Sequence, residues 1–208
     1  MSAVLFDDLS VSRETFERLE LYIALLRKWS PRINLVSKST LPDAWQRHVL
    51  DSAQLFPMVP TDARSIADLG SGAGFPGLVL AILSAERDAV YDVLLVESDR
   101  RKATFLREVV RETGARAEVA VQRVEALDYA ADVVTARAFT ALDPLLDMAH
   151  PLLAEGGIAL LHKGARYESE LTQAGENWHM DVEHFPSRID PASVVLRIGG
   201  LRRRQDET

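Results

Sequence analysis

At 208 residues, with 47% hydrophobic and 26% charged side chains, the chain suits one globular domain, or one domain with an extension, around a sizeable core. It has no cysteine, which excludes thiol nucleophiles, disulfides and zinc–thiolate sites and fits a reducing, cytoplasmic setting. A net charge of −7 argues against gripping nucleic acid with the whole surface, no apolar run approaches membrane-spanning length, and Met1–Asp8 lacks the basic start of a secretory signal.

The first predicted element is a helix capped by Ser12, with Glu14 in its first turn. Phe16, Leu19, Ile23 and Leu26 recur at helical spacing, Tyr22, Leu25 and Trp29 widen the stripe, and Ser30-Pro31 ends it. The charge balance then reverses: Arg27, Lys28, Arg32, Lys38 and Arg47 face only Asp43. A second helix is predicted from just after Ser39 or Thr40 to Phe56, with Pro42 in its first turn. On it Arg47 and Asp51, and His48 and Ser52, are i,i+4 neighbours, which reads most simply as a salt bridge with a capped histidine.

Ile66–Leu69 is a predicted strand ending beside an acid, and it runs into Gly70-Ser71-Gly72-Ala73-Gly74-Phe75-Pro76-Gly77 before a helical apolar pattern takes over. Glycine allows positive φ and close approach of a ligand to the main chain, and the helix N-terminus is aimed over the turn. Gly72-x-Gly74-x-x-Gly77 matches the dinucleotide fingerprint. The longer Asp68-x-Gly70-x-Gly72-x-Gly74 is the pattern of S-adenosylmethionine methyltransferases, and the offset favours it. A carboxylate at Asp68 is awkward for a pyrophosphate and helpful for a cationic amino group.

Strands and helices then alternate: strand Asp92–Glu97, helix Arg100–Glu112 capped by Asp99 and closed by Gly114, strand Ala117–Val121, strand Asp132–Arg137 and a helix from about Leu142 to Leu153. Gly156-Gly157 is read as a turn into strand Ile158–Lys163, followed by a helix near Arg166–Ala174 and strands Asp181–Phe185 and Ser193–Ile198. The alternation implies an α/β fold with a mainly parallel sheet covered by helices on both faces. We divide the chain into an N-terminal helical extension, 1–60, and a Rossmann-like domain, 61–208. Ligands in such sheets sit at the carboxyl ends of the strands, where Asp68, Glu97, Arg137 and Lys163 converge, with Arg123-Val124-Glu125 after the third strand. Glu97 lies at the distance past the glycines where an acid takes the ribose hydroxyls of an adenosine. The five histidines show no metal-ligand spacing, so no metal is expected, and all but His48 read as structural.

The ordered set Leu26-x-x-Trp29 with Asn34-Leu35, Arg47-His48-x-x-Asp51-Ser52, Asp68 to Gly77, Arg123-Val124-Glu125, Arg137-Ala138-Phe139 and Lys163-Gly164 resembles one family over nearly the whole chain. That family is the guanine-N-7 methyltransferases of small-subunit (16S) ribosomal RNA, called methyltransferase G or glucose-inhibited division protein B. One departure is Ser30, where the family usually has asparagine after the tryptophan. The resemblance implies a class I S-adenosylmethionine-dependent fold, with cofactor contacts from Gly70 and Phe75, Val124-Glu125 at the adenine and Arg137 nearby. Asp68, Gly72, Gly74 and Glu97 complete the expected cofactor set from the glycine turn and spacing.

Guanine N-7 has a free lone pair at neutral pH, so the expected catalytic residues, Arg123, Arg137, Lys163 and His48, position groups and move no proton. The basic positions Arg47, Arg100, Arg101 and Lys102 are expected to meet RNA, with S-adenosylhomocysteine the product and small-subunit RNA, alone or in the assembled 30S subunit, the partner. No extended apolar dimer face is legible, so a monomer without membrane contact is expected. An oxidoreductase using NAD(P), a small-molecule methyltransferase and a non-enzymatic RNA-binding or ribosome assembly factor are the competing readings; Asp68 and Gly70, the basic segments and the full strand-end set respectively weigh against them.

Overall fold

The computed structural model describes residues 2–88 and 90–204, so Met1, Ala89 and the last four residues, which the division at residue 60 includes, lie outside the described residues. It opens on an antiparallel hairpin, β1 (Ser2–Phe6) and β2 (Leu9–Ser12), where no element was predicted. Helix α1 (Arg13–Trp29) follows, and the Ser12 hydroxyl accepts from the Thr15 N–H as its cap. Buried Leu19, Tyr22, Ile23 and Leu26 form its inner face.

The segment predicted as a second helix is wound differently. A π-helix spans Trp45–Leu50, where the Asp51 N–H reaches back five residues to the Gln46 carbonyl, and one α turn, α2 (Asp51–Ala53), completes it. The extra residue in the turn changes the side-chain register, and Asp51 pairs with Arg137 instead of Arg47.

The central sheet has seven strands: β3 (Ser65–Leu69), β4 (Asp92–Val96), β5 (Ala117–Ala120), β6 (Ala131–Arg137), β7 (Leu153–Lys163), β8 (Trp178–Pro186) and β9 (Val194–Arg203). Their order is β5-β4-β3-β6-β7-β9-β8. The first five run parallel, and β9 pairs antiparallel with both β7 and β8. The connection reverses direction between β3 and β6, so a crevice opens at their carboxyl ends. Helices α3 (Gly77–Leu83) and α4 (Arg100–Thr113) share one apolar core with α1, in which Tyr22, Leu26, Leu78 and Phe105 meet. Helix α5 (Leu142–Ala149) packs in a second core with Leu145, Trp178 and Leu196, and α6 (Tyr167–Ala174) lies beside it.

The Gly156-Gly157 turn proved to be a kink inside β7, where the register against β6 shifts between Ala131 and Val133. A side chain at Gly157 would meet the carbonyl oxygens of Ala154, Ala131 and Asp132 at 2.9–3.1 Å, so the glycine pair lets the strand bend without ending. Asp99 caps α4 by accepting from the Arg101 and Lys102 N–H groups, and Gly114 closes it at φ +62°.

Candidate functional site

The turn after β3 is left-handed at three of its glycines, Gly70, Gly72 and Gly74, with φ of +61°, +57° and +98°. At Gly70 the need is double, because a Cβ there would fall 2.3 Å from Cδ2 of Phe139. Glu97, which follows β4, holds this turn from the side. One carboxylate oxygen accepts the Gly72 N–H at 2.9 Å and the other accepts the Asp99 N–H at 2.7 Å. A cavity of about 300 Å³ opens beside it, lined among others by Gly70, Glu97, Lys102, Arg123, Val124 and Glu125.

Asp68 lies beneath the turn and is fully buried. Its Oδ1 accepts the Thr135 hydroxyl at 2.8 Å, while Oδ2 has no hydrogen-bond partner. Burial pushes its pKa up to about 6, against the pull of the surrounding donors. It lines neither this cavity nor the next.

A second cavity, of about 220 Å³, sits at the ends of β6 and β7 and is lined by Asp51, Arg137, Phe139, His162, Lys163 and Glu170 among others. Ala138 and Phe139 belong to both cavities, so the two adjoin there. Arg137 organises the floor: Nη1 donates to Asp51 Oδ2 at 3.1 Å and to the Arg47 carbonyl at 3.2 Å, and Nη2 lies 3.0 Å from His48 Nδ1. An arginine can only donate, so Nδ1 is the bare nitrogen and Nε2–H donates to the Thr40 hydroxyl, 3.1 Å away. Burial, then the Arg137 charge, push the His48 pKa down to about 4. The His48 ring stacks on Phe75, which stacks in turn on Tyr22, both at 5.0 Å, and the Arg137 guanidinium lies 5.0 Å from the Phe75 ring centre.

Lys163 donates to the Thr140 carbonyl at 2.9 Å and pairs with Glu170 at 2.5 Å; Glu170 also accepts the Leu142 N–H at the start of α5. His162, read from the sequence as structural, lines this cavity. Its Nε2 donates to the Asp51 carbonyl at 3.0 Å, its Nδ1 is buried without a partner, and burial lowers its pKa.

The expected site residues thus fall into two groups. Gly70, Glu97, Val124 and Glu125 line the first cavity, and Arg123 joins them there, away from Arg137 and Lys163. Arg137 and Lys163 line the second, while His48 does not line it and stands behind Arg137, and Arg47 contributes its carbonyl while its side chain is exposed. Phe75 is 4% exposed and supports His48 and Arg137 from behind. Arg101 and Lys102 share a groove with Arg32 and Asn34, and Lys102 also faces the first cavity. Arg100 is exposed nearby on α4. The sequence reading gave no role to Glu170 or His162. His162 immediately precedes the strand-ending Lys163, a signal that was available; Glu170 had none, since its partner is set by the packing of α6. Among the described residues, no group of three or more His, Asp or Glu is placed to hold a metal.

A family model described as rRNA small subunit methyltransferase G matches residues 15–191. Ribosomal RNA small subunit methyltransferase G of Rhodospirillum centenum is 55% identical over 195 residues, covering 93% of this chain and 88% of that protein. The protein of the same name from Rhodospirillum rubrum is 53% identical, covering 94% and 96%. Among solved structures, P. horikoshii TYW2 in complex with MeSAdo aligns with a TM-score of 0.55 at 14% identity over 75% of this chain and 62% of that one. M. jannaschii TYW2 in complex with AdoMet aligns at 0.56 and 15%, over 76% and 77%, and a SAM-dependent methyltransferase from Aquifex aeolicus at 0.59 and 14%, over 76% and 93%. At these identities the structures show the class I S-adenosylmethionine-dependent methyltransferase fold.

Proposed function

The chain belongs to the rRNA small subunit methyltransferase G family of S-adenosylmethionine-dependent enzymes, and from that premise we propose that it methylates N-7 of one specific guanine in small-subunit ribosomal RNA. One observation supports this most: the glycine-turn cavity and the Arg137–Lys163 cavity adjoin at Ala138–Phe139. A methyl donor and a purine acceptor can therefore lie side by side.

The first cavity fits the cofactor. Its backbone turn is left-handed at Gly70, Gly72 and Gly74, Glu97 carries a carboxylate suited to ribose hydroxyls, and Val124 and Glu125 suit the adenine. We assign Asp68 to tying the end of β3 to β6 through Thr135, with its charge felt at the turn through the protein interior. When bound, S-adenosylmethionine supplies an electrophilic methyl group on a cationic sulfur. Transfer of that methyl to the guanine N-7 lone pair would leave a neutral thioether product and place the positive charge on the imidazole ring of the base.

No proton moves in that step, so the chain supplies orientation and electrostatics. In our reading Lys163 donates to guanine O6 as a single point. A bidentate arginine on O6 and N-7 would cover the nucleophile. Arg137, fixed by Asp51, His48 and the Arg47 carbonyl, shapes the pocket wall. Arg123 stands at the cofactor-side rim, and Arg47, Arg100, Arg101 and Lys102 meet RNA phosphates.

We assign 1–60 to an extension that completes the methyltransferase domain 61–208, because α1 shares the α3–α4 core, Asp51 lines the second cavity and His48 braces Arg137, which lines it too. Among the described residues no helix is long and apolar enough to cross a membrane. A monomer in the cytoplasm, acting on the assembled 30S subunit, fits a basic face on an acidic chain. The test is transfer of labelled methyl from S-adenosylmethionine to unmodified small subunits, with naked RNA in parallel. We expect label in the RNA of subunits in excess over naked RNA; no label in either overturns the reading.

A further inference from the structure

Among the described residues, three large apolar side chains are markedly exposed: Val4, Leu21 and Phe139. Val4 and Leu21 lie on the N-terminal hairpin and α1, whereas Phe139 lies at the junction of both cavities. Its placement is built. Ala138, directly before it, has φ +51°, the one positive value at a non-glycine among the described residues, and this turns the chain sharply out of β6. The ring then rests where any side chain at residue 70 would be, against a glycine that is itself left-handed. A left-handed alanine, a left-handed glycine covered by a ring and an exposed aromatic face are kept together at one point.

The two carboxylates on the Arg137–Lys163 side of this junction are already paired. Asp51 accepts from Arg137, Glu170 pairs with Lys163, and Glu97 is held by two backbone N–H groups. The cation that methylation leaves on a guanine in the Arg137–Lys163 cavity therefore meets there two carboxylates already paired with cations, Asp51 and Glu170, while Glu97 and Glu125 line the neighbouring cavity. The same cation also meets an aromatic face.

We propose that Phe139 is a catalytic residue: its ring stacks on the target guanine at the mouth of the Arg137–Lys163 cavity, and its π face stabilises the positive charge that develops on the imidazole ring during methyl transfer. Stacking also selects a purine drawn out of its helix or loop, since an unstacked base offers both faces to an aromatic side chain. The inference rests on the N-7 reading, because methylation elsewhere on the base need not leave a cation.

The experiment replaces Phe139 with phenylalanines carrying one, two and three ring fluorines, which weaken the π face stepwise while nearly keeping its shape, and with leucine. The readout is the single-turnover rate of methyl transfer to unmodified small subunits, with S-adenosylhomocysteine affinity and thermal melting measured in parallel. The logarithm of the rate should fall steadily along the fluorine series. Phe139→Leu should lose about two- to thirtyfold, the range of one cation–π contact, with melting and cofactor affinity unchanged. Phe139→Trp should recover rate relative to Phe139→Leu, and its fluorescence should be quenched more strongly by 7-methylguanosine monophosphate than by guanosine monophosphate. A flat fluorine series, equal or absent quenching by the two nucleotides, or loss of cofactor affinity in step with rate would overturn the proposal and leave Phe139 as a cover for the glycine turn. Absence of transfer by the unaltered protein would instead overturn the N-7 reading itself, and this inference with it.

Discussion

The Arg137 guanidinium donates to His48 Nδ1 across 3.0 Å, and that contact decides what His48 can do. The nitrogen that would accept a proton is occupied, the ring is buried, and its pKa lies near 4, so it stays neutral as a spacer between Arg137 and Thr40. We predict that the single-turnover rate is flat from neutral to mildly alkaline pH. Substitution His48→Ala should lower it by the same factor at every pH, up to about 100-fold through misplacement of Arg137. Recovery of the variant's rate with rising pH would show that His48 acts as a base.

His48 and Asp68 should make opposite contributions to stability over the same pH range. For His48 the folded pKa, about 4, lies below the ordinary 6.5; its contribution is complete above pH 6.5 and is lost as pH falls towards 4. For Asp68 the folded pKa, about 6, lies above 3.8, so its folded form holds a proton that the unfolded form releases, and stability falls as pH rises from about 4 to 6. Relative to the unaltered protein, Asp68→Asn should gain on the order of 3 kcal/mol between pH 4 and 6, and His48→Gln should lose a similar amount between pH 4 and 6.5. Urea unfolding across this range gives both slopes, and parallel curves for the three proteins would contradict the assignment.

Arg137 and Asp51 form a largely buried pair, with side chains 16% and 14% exposed. Removing either partner strands the other, and Arg137→Ala should cost about 3 kcal/mol. The double variant with Asp51→Ala should cost little more than either alone, with a coupling of about 1–3 kcal/mol. Additive losses in denaturant unfolding would mean that the pair does not act as a unit.

This pair also marks the limit of what the chain discloses in one dimension. Strand ends, glycine turn and helix caps are local signals: the Asp99 cap, the Gly114 stop and the Asp68–Gly77 hand-over were readable because each needs only its neighbours. Arg137 and Asp51 stand 86 residues apart, and nothing near either names the other. The π winding at Trp45–Leu50 hid the register, since an i,i+4 reading pairs Asp51 with Arg47. The N-terminal hairpin was missed because its turn at Asp7-Asp8 lacks the Asn-Gly type of signal and its strands are short. Glu170 entered the site through the packing of α6 against the start of α5, which no spacing encodes.

Gly70→Ala should test the turn directly. It forces a side chain into a left-handed position and into the Phe139 ring. We expect a loss of at least about 1 kcal/mol in stability and a fall of about tenfold or more in S-adenosylhomocysteine affinity by calorimetry. Unchanged affinity would place the cofactor elsewhere.

The basic residues of α4 should separate by the surfaces they face. Alanine at Arg100 and Arg101 should weaken subunit binding, reduce its salt dependence by about one or two phosphate contacts, and spare cofactor affinity. Lys102→Ala should weaken both, because Lys102 lines the cavity beside the glycine turn as well as the Arg32 groove. Equal loss of both affinities in the Arg100 and Arg101 variants would remove RNA from that surface.

The most direct measurement identifies the product. Small subunits lacking the modification are incubated with the protein and labelled S-adenosylmethionine, and the RNA is digested to nucleosides and separated. Label in 7-methylguanosine alone is the predicted result. Label in any other nucleoside, or in protein, would contradict the assignment of guanine N-7 as the acceptor.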